Sequence, residues 1–255
     1  MQARTPPASR GWQWLLEGYQ LHRKSKLALA LFVMAYWILM AMLGAIPLIG
    51  QIIATIAIPA MSVSLMNACR LIDQGKPLGF PVLFSGFREN RPALIIQGVI
   101  YLLLAFVIFA ITIPIDDGLM FSVFVTGRRE SEPAIDNQDI MLSAQVALAL
   151  FVPLMMAYWY APLLSAWHRL PAVKALFFSF FACLHNWRVF LTYSAGVMLV
   201  FMLPVVVLSV ARTLAPGGLL STFALMFFLI FVLPTLYASF YVSYRDVFTR
   251  VDENV

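Results

Sequence analysis

LALALFVMAYWILMAMLGAIP, residues 27–47, decides the fold. The stretch holds no Asp, Glu, Lys or Arg. At 1.5 Å of rise per residue, a helix of that length crosses about 30 Å of hydrocarbon. PLIGQ at 47–51 closes it with a tight turn, and a second uncharged stretch follows at 52–69. The pair reads as a helical hairpin through a bilayer. Four more uncharged stretches lie at 93–115, 140–167, 189–211 and 219–244. Six transmembrane helices are therefore expected, in an all-α integral membrane fold, because a segment in lipid must satisfy its backbone groups internally.

Composition requires the same solvent. Hydrophobic residues make up 62% of the 255 and charged residues 11%, against about 25% charged in a soluble domain. Too little charge is present to cover a water-exposed surface. Residues 1–26 are basic and aromatic, and the apolar run after them is too long for a signal h-region and lacks a small-x-small cleavage site. It reads as a retained first span. Cys69 and Cys183 are too few and too distant in sequence for a disulfide framework or a zinc site.

Loop charge sets the expected orientation. Fourteen of the seventeen Lys and Arg fall in 1–26, 70–92, 168–188 and 245–255, and only Arg128, Arg129 and Arg212 fall on the other side. Six of the twelve acids (Asp116, Asp117, Glu130, Glu132, Asp136 and Asp139) lie in one long loop, 116–139, on that sparse side. The expectation is a bacterial inner membrane protein with both termini cytoplasmic and a periplasmic 116–139 loop. The net charge of +5 is then a topology signal, and nucleic acid is not expected as a partner.

An internal repeat organises the single membrane domain, 1–255. Ahead of spans one, three and five, large apolar residues recur at i, i+3, i+4 and i+7: Trp12, Leu15, Leu16, Tyr19; Phe80, Leu83, Phe84, Phe87; and Phe177, Phe180, Phe181, Leu184. That spacing puts four bulky groups on one helical face. Gln13, Glu17 and Gln20, then Ser85, Arg88 and Glu89, then Lys174, Ser179 and His185 fall elsewhere on the turn. Each stretch predicts an amphipathic helix lying along the cytoplasmic headgroups. The even spans each carry a proline, at Pro59, Pro153 and Pro234. Three units of interfacial helix, span and proline-bearing span are expected, at about 12–70, 78–167 and 172–246.

The spans contain no ionisable group, so the proton relays and coupled-ion sites that keep charge at membrane depth are not expected. No catalytic residue, metal or cofactor is expected: no nucleophile elbow or paired base occurs. Asp116, Asp117, Asp136 and Asp139 match no calcium loop, and Tyr158, Trp159 and Tyr160 point three ways from a helix. The prolines free the carbonyls of Thr55, Ala149 and Ile230, as hinges or as static kinks. The candidate site is a lipid-headgroup set beside the amphipathic stretches: Arg23, Lys24, Lys26, Arg88, Arg91, Lys174 and Arg188. The competing reading of these residues is positive-inside anchoring, which needs no lipid specificity.

RGWQWLLEG at 10–18, MNACR at 66–70 and FSGFR at 84–88 resemble an uncharacterised family of six-helix inner membrane proteins of betaproteobacteria. The layout is more distantly similar to the membrane domain that accompanies some glycerophosphoryl diester phosphodiesterases. No soluble phosphodiesterase domain is present, so that resemblance implies no such activity. The expected function is non-enzymatic: binding of membrane phospholipid, or a scaffold for a membrane protein partner. The alternative is a transporter or flippase-like facilitator for a lipid or amphiphile, which a polar path among Gln51, Asn67, Gln97, Gln145 and Thr192 would favour.

Overall fold

The computed structural model describes residues 4–126, 137–214 and 225–248. All regular structure among them is helical. In chain order the elements are α1 (Arg10–Lys24), α2 (Lys26–Gly44), α3 (Ile49–Asp73), a 3₁₀ segment (Phe80–Arg88), α4 (Arg91–Asp116), α5 (Leu119–Thr126), α6 (Asn137–Trp159), α7 (Ala161–Trp167), α8 (Ala172–His185), α9 (Trp187–Leu214) and α10 (Leu225–Phe248).

Among the described residues, five helical stretches are long and apolar enough to cross a membrane: Lys26–Gly44, Ile49–Asp73, Arg91–Asp116, Gln138–Trp167 and Leu225–Phe248. Ala172–His185 and Trp187–Met202 meet at 82° and pass the same test only together, as a bent pair that brings the number to six where it makes one span. The second span, the shortest in sequence, extends to Asp73 and reaches 25 residues because it carries Arg70 and Asp73 in its last turn. The α2–α3 hairpin closes at Leu48, which takes φ 58°. There the Ile49 N–H meets the Pro47 carbonyl at 2.7 Å, and the Gly50 N–H meets the Ile46 carbonyl at 3.1 Å.

Two features differ from expectation. The stretch 80–87 is a 3₁₀ turn rather than an α-helix, because Pro81 has no N–H to donate and Gly79 and Gly86 bracket the segment. The loop expected from 116 opens instead on α5, whose rings fold back on α4: Phe109–Phe124 stack at 4.5 Å and Phe106–Phe121 meet edge-on at 5.0 Å. Residues 127–136, including Arg128, Arg129, Glu130, Glu132 and Asp136, lie outside the described residues.

Two compact units result, and their boundaries do not follow the sequence copies. One comprises Met1–Ile38, Ser62–Gly86 and Ala182–Val255; the other comprises Leu39–Met61 and Phe87–Phe181. Trp14, Leu29, Val33, Leu65, Tyr244 and Val247 are fully buried in the first. In the second, Ile108, Ala147 and Leu154 pack with Tyr101, Phe151 and Tyr158. Outside these cores the spans expose bulk apolar groups, such as Leu103, Phe106, Val107 and Ile111 on α4, and Leu142, Leu148 and Val152 on α6. Water would not tolerate so continuous an apolar surface; hydrocarbon does.

Candidate functional site

The three stretches ahead of the odd spans share one pattern of exposure. At position i stand Trp12, Phe80 and Phe177, exposed at 47%, 73% and 58%. Leu16, Phe84 and Phe181 at i+4, and Tyr19, Phe87 and Leu184 at i+7, are exposed too. Leu15 and Leu83 at i+3 are buried, and Phe180 is half-buried. The expected four-residue face is thus split. The i+3 residue turns into the protein, and the other three form an outward apolar ridge. The split arises because the true inner face of α1 is one of small and ring residues, Gly11, Trp14, Leu15, Gly18, Leu21 and His22.

Each stretch leans on its neighbour through a small residue or a hydroxyl. A Cβ added at Gly18 would lie 2.5 Å from the Ser239 nitrogen and 2.6 Å from its Cα. The Gly86 N–H donates to Ser64 Oγ at 2.9 Å. Ser179 of α8 accepts the Tyr160 N–H at 2.9 Å and donates to the Met156 carbonyl at 2.8 Å. Tyr160 stands at the break between α6 and α7, and Ser179 pairs there with both its N–H and the Met156 carbonyl.

All seven candidate cations are exposed. Arg23 lies 5.9 Å from the Tyr19 ring, Lys174 5.8 Å from Phe178 and Arg188 5.3 Å from Trp187, within cation–π range. Arg91 Nε donates to the Phe87 carbonyl at 2.6 Å. Lys26 opens α2, and Arg88 ends the 3₁₀ segment. Lys24 differs from the rest: its ammonium lies 3.3 Å from Asp73. None of the other six forms an ion pair among the described residues.

That ion pair ends a chain the cation-centred sequence reading passes over. Asp246 Oδ2 accepts from the Trp14 indole at 2.8 Å and from Arg10 Nε at 2.8 Å. Arg10 reaches Glu17 at 2.7 Å, and Glu17 faces Arg245 at 3.6 Å. Arg245 meets Asp73 at 2.7 Å, and Asp73 also meets Lys24. Acid and base thus alternate from Asp246 to Lys24. The spacing behind it is visible in α1, where Arg10, Glu17 and Lys24 recur every seven residues and so share a stripe. Its partners, Asp73 and the pair Arg245-Asp246, stand at the exits of α3 and α10, and nothing local in sequence ties them to α1. The Arg10 guanidinium is held charged even more firmly than usual, first by its hydrogen bond to Asp246. Glu17, Lys24, Asp73 and Arg245 line a cleft of about 340 Å³ together with Gln20, Leu21 and Val242.

The remaining candidates are spent locally. The Asp116 carboxylate is buried and accepts the N–H groups of Gly118 at 3.2 Å and Met120 at 3.1 Å, capping α5. Asn67 donates to Ser85 at 2.9 Å. Gln97 donates to the Ala161 carbonyl and to Ser165 Oγ. Thr192 caps back to Val189, and Gln145 is exposed. These polar groups serve separate local contacts. The three prolines also differ: a π turn, Phe228–Val232, precedes Pro234, where the Leu233 N–H reaches back to Phe228, whereas Pro59 and Pro153 sit inside α-helices.

The chain is 32% identical, over 97% of its length and 94% of the relative's, to a probable inner membrane protein of Burkholderia thailandensis. No family model matches the chain, and no solved structure matches it. The similarity to the phosphodiesterase membrane domain expected from the sequence is not shown by these comparisons.

Proposed function

We propose, for a chain that belongs to the family of that probable inner membrane protein, a non-enzymatic role: it binds and organises anionic phospholipid at the cytoplasmic leaflet, as a scaffold in the membrane plane. The observation that carries this reading is the outward ridge repeated at Trp12/Leu16/Tyr19, Phe80/Phe84/Phe87 and Phe177/Phe181/Leu184, each beside cations that have no carboxylate partner among the described residues. Apolar and aromatic side chains at headgroup depth anchor a surface helix. Each Lys or Arg beside them gains about 1 kcal/mol from an anionic leaflet. The right-angled entry of Ala172–His185 into the span at Trp187 suits such a helix. The loop charges support the orientation with both termini inside, and the recurring ridge supports three repeated units. The facilitator reading is weaker, because Asn67, Gln97 and Thr192 each have a local partner.

Native mass spectrometry of gently extracted protein tests the proposal. Changing Arg23, Arg88 and Arg188 together to Gln lowers retention of phosphatidylglycerol and cardiolipin by about fivefold per element, the ratio that 1 kcal/mol supplies. Unchanged retention reduces these residues to topology anchors. A periplasm-dependent reporter fused at Glu130 is expected to be active and one at Val255 silent; the reverse pattern overturns the orientation and the leaflet with it.

A further inference from the structure

We propose that the cleft lined by Glu17, Lys24, Asp73 and Arg245 binds a zwitterionic phospholipid headgroup, a phosphoethanolamine, distinct from the anionic lipid drawn to the rim. The placement of α1 in the headgroup layer is taken from the proposed function; the choice of headgroup is not.

The charge count excludes a simple anion site. Lys24 and Arg245 are both already set against Asp73, at 3.3 and 2.7 Å, and Arg245 faces Glu17 as well. The four charges sum to zero. An anionic headgroup entering here gains two cations and meets two carboxylates, so its attraction largely cancels. A cation meets the mirror problem. A group that carries an ammonium two carbons from a phosphodiester satisfies both signs at once, and charge complementarity of this kind selects a partner more than it adds raw affinity. The ammonium donates to Glu17 and Asp73; Lys24 and Arg245 donate to the phosphate.

Exposure leaves room for the exchange. The Lys24 and Arg245 side chains are 55% and 43% exposed, while Glu17 and Asp73 are 29% and 21% exposed. The cations are thus the mobile partners, free to swing part of their hydrogen bonding to a phosphate. A volume of about 340 Å³ admits a headgroup, at the small end of ligand sites. Tyr241 reaches Asp73 through its hydroxyl at 3.3 Å, and among the described residues that line the cleft there is no aromatic ring. The cleft therefore lacks the cage a quaternary ammonium prefers, and choline, which has no N–H to give a carboxylate, is disfavoured.

The test is competitive retention of lipid by the full chain from bicelles that hold equal parts of phosphatidylethanolamine, phosphatidylcholine and phosphatidylglycerol, read by native mass spectrometry. Wild type is expected to keep one phosphatidylethanolamine with a preference over phosphatidylcholine of about tenfold; equal retention of the two overturns the site and needs no variant. Glu17→Gln and Lys24→Gln each reduce that preference, and the Arg23, Arg88, Arg188 triple to Gln leaves it in place while lowering phosphatidylglycerol. Failure of the rim reading and failure of the cleft are thereby separated. Soluble glycerophosphoethanolamine at millimolar concentration is expected not to displace the lipid; displacement overturns the assignment to a membrane lipid.

Discussion

Two polar clusters hold the two compact units, and they are built from different chemistry. In the unit that contains α1, six charged side chains alternate from Asp246 through Arg10, Glu17, Arg245 and Asp73 to Lys24. In the other unit, Gln97 donates to Ser165 and the Ala161 carbonyl, Tyr158 donates to the Gln97 carbonyl at 2.6 Å, and Ser179 bridges Tyr160 and Met156. No member of the second cluster ionises near neutral pH. Apart from Glu17, the members of the charged chain stand at helix ends, and all six side chains are partly exposed, which lowers the cost of desolvation. The neutral cluster joins the apolar stretches of α4, α6 and α7, with Ser179 supplied by α8; within such stretches a charge costs several kcal/mol and an amide or hydroxyl does not. Depth, rather than need for polarity, decides which residue types hold the chain together.

The largest expected effect comes from the close approach that brings the charged chain together. Gly18→Val pushes Cβ into the backbone of Ser239, and backbone cannot swing aside as a long side chain can. A loss of about 3 kcal/mol is expected, at the upper end for overpacking, read as a fall in unfolding midpoint in detergent. Gly44 at the end of α2 has nothing within 4 Å of an added Cβ, so Gly44→Ala is expected to change stability by less than about 1 kcal/mol. Equal losses at the two sites would mean that α1 does not sit against α10 through Gly18.

Asp246→Asn comes next. Asp246 Oδ2 serves two donors at once, and an amide oxygen keeps the geometry for them without the charge. A loss of about 2 kcal/mol is expected, smaller in high salt because the pair with Arg10 is partly exposed. A loss indifferent to salt would place this carboxylate in the same class as the neutral cluster.

Much of this contrast was legible in the sequence, and the missing part has a physical reason. Hydropathy finds the spans because lipid enforces length and composition on each segment separately. The outward ridges were legible in part: the residues at i, i+4 and i+7 face outward, whereas Leu15 and Leu83 at i+3 of the expected four-residue face turn inward. The inner face of α1 was not. Gly11 and Gly18 carry no hydropathy signal, and Trp14 counts the same whether it faces lipid or, as here, donates to Asp246. The ion chain was half legible, as the heptad Arg10, Glu17, Lys24. Its partners lie 49 to 236 residues away, and counting loop cations for topology gives no weight to the acids that neutralise them. The 3₁₀ segment at 80–88 was missed because the spacing of apolar groups gives no weight to Pro81, which has no N–H to donate to an α-helix.

His22 stands between the two classes, a titratable group buried without charge. It is 1% exposed, edge-on to Phe231 at 6.3 Å, and neither ring nitrogen has a partner among the described residues. Burial lowers its pKa, and Lys26 lowers it further. An imidazole whose folded pKa lies below its ordinary value of about 6.5 takes up its proton only after the unfolded chain has done so. Its contribution is therefore full above pH 6.5 and is lost as the pH falls from there toward the folded value. Thermal unfolding from pH 8 to 5 is expected to show a decline below 6.5 that His22→Phe removes. A decline that survives in that variant belongs to the carboxylates of the ion chain instead.

Gln97→Leu is the smallest expected effect and the strictest check on the comparison. The side chain is fully buried, and its Nε2 donates at 2.8 Å to Ser165 and at 3.2 Å to the Ala161 carbonyl. Its own Oε1 is buried and has no donor among the described residues, so part of what the two bonds gain is offset by an unsatisfied oxygen. Leucine removes both terms and nearly keeps the volume. Hydrogen bonds between membrane helices average about 0.6 kcal/mol, because the segments find other partners when they separate in lipid. The variant is expected to lose less than about 1 kcal/mol and to keep its lipid retention. A loss the size of that at Asp246 would mean that the amide holds α4 to α7 as firmly as a charge holds α1 to α10. Retained stability with altered lipid retention would instead give the neutral cluster a part in function, and depth would then no longer separate the structural cluster from the working one.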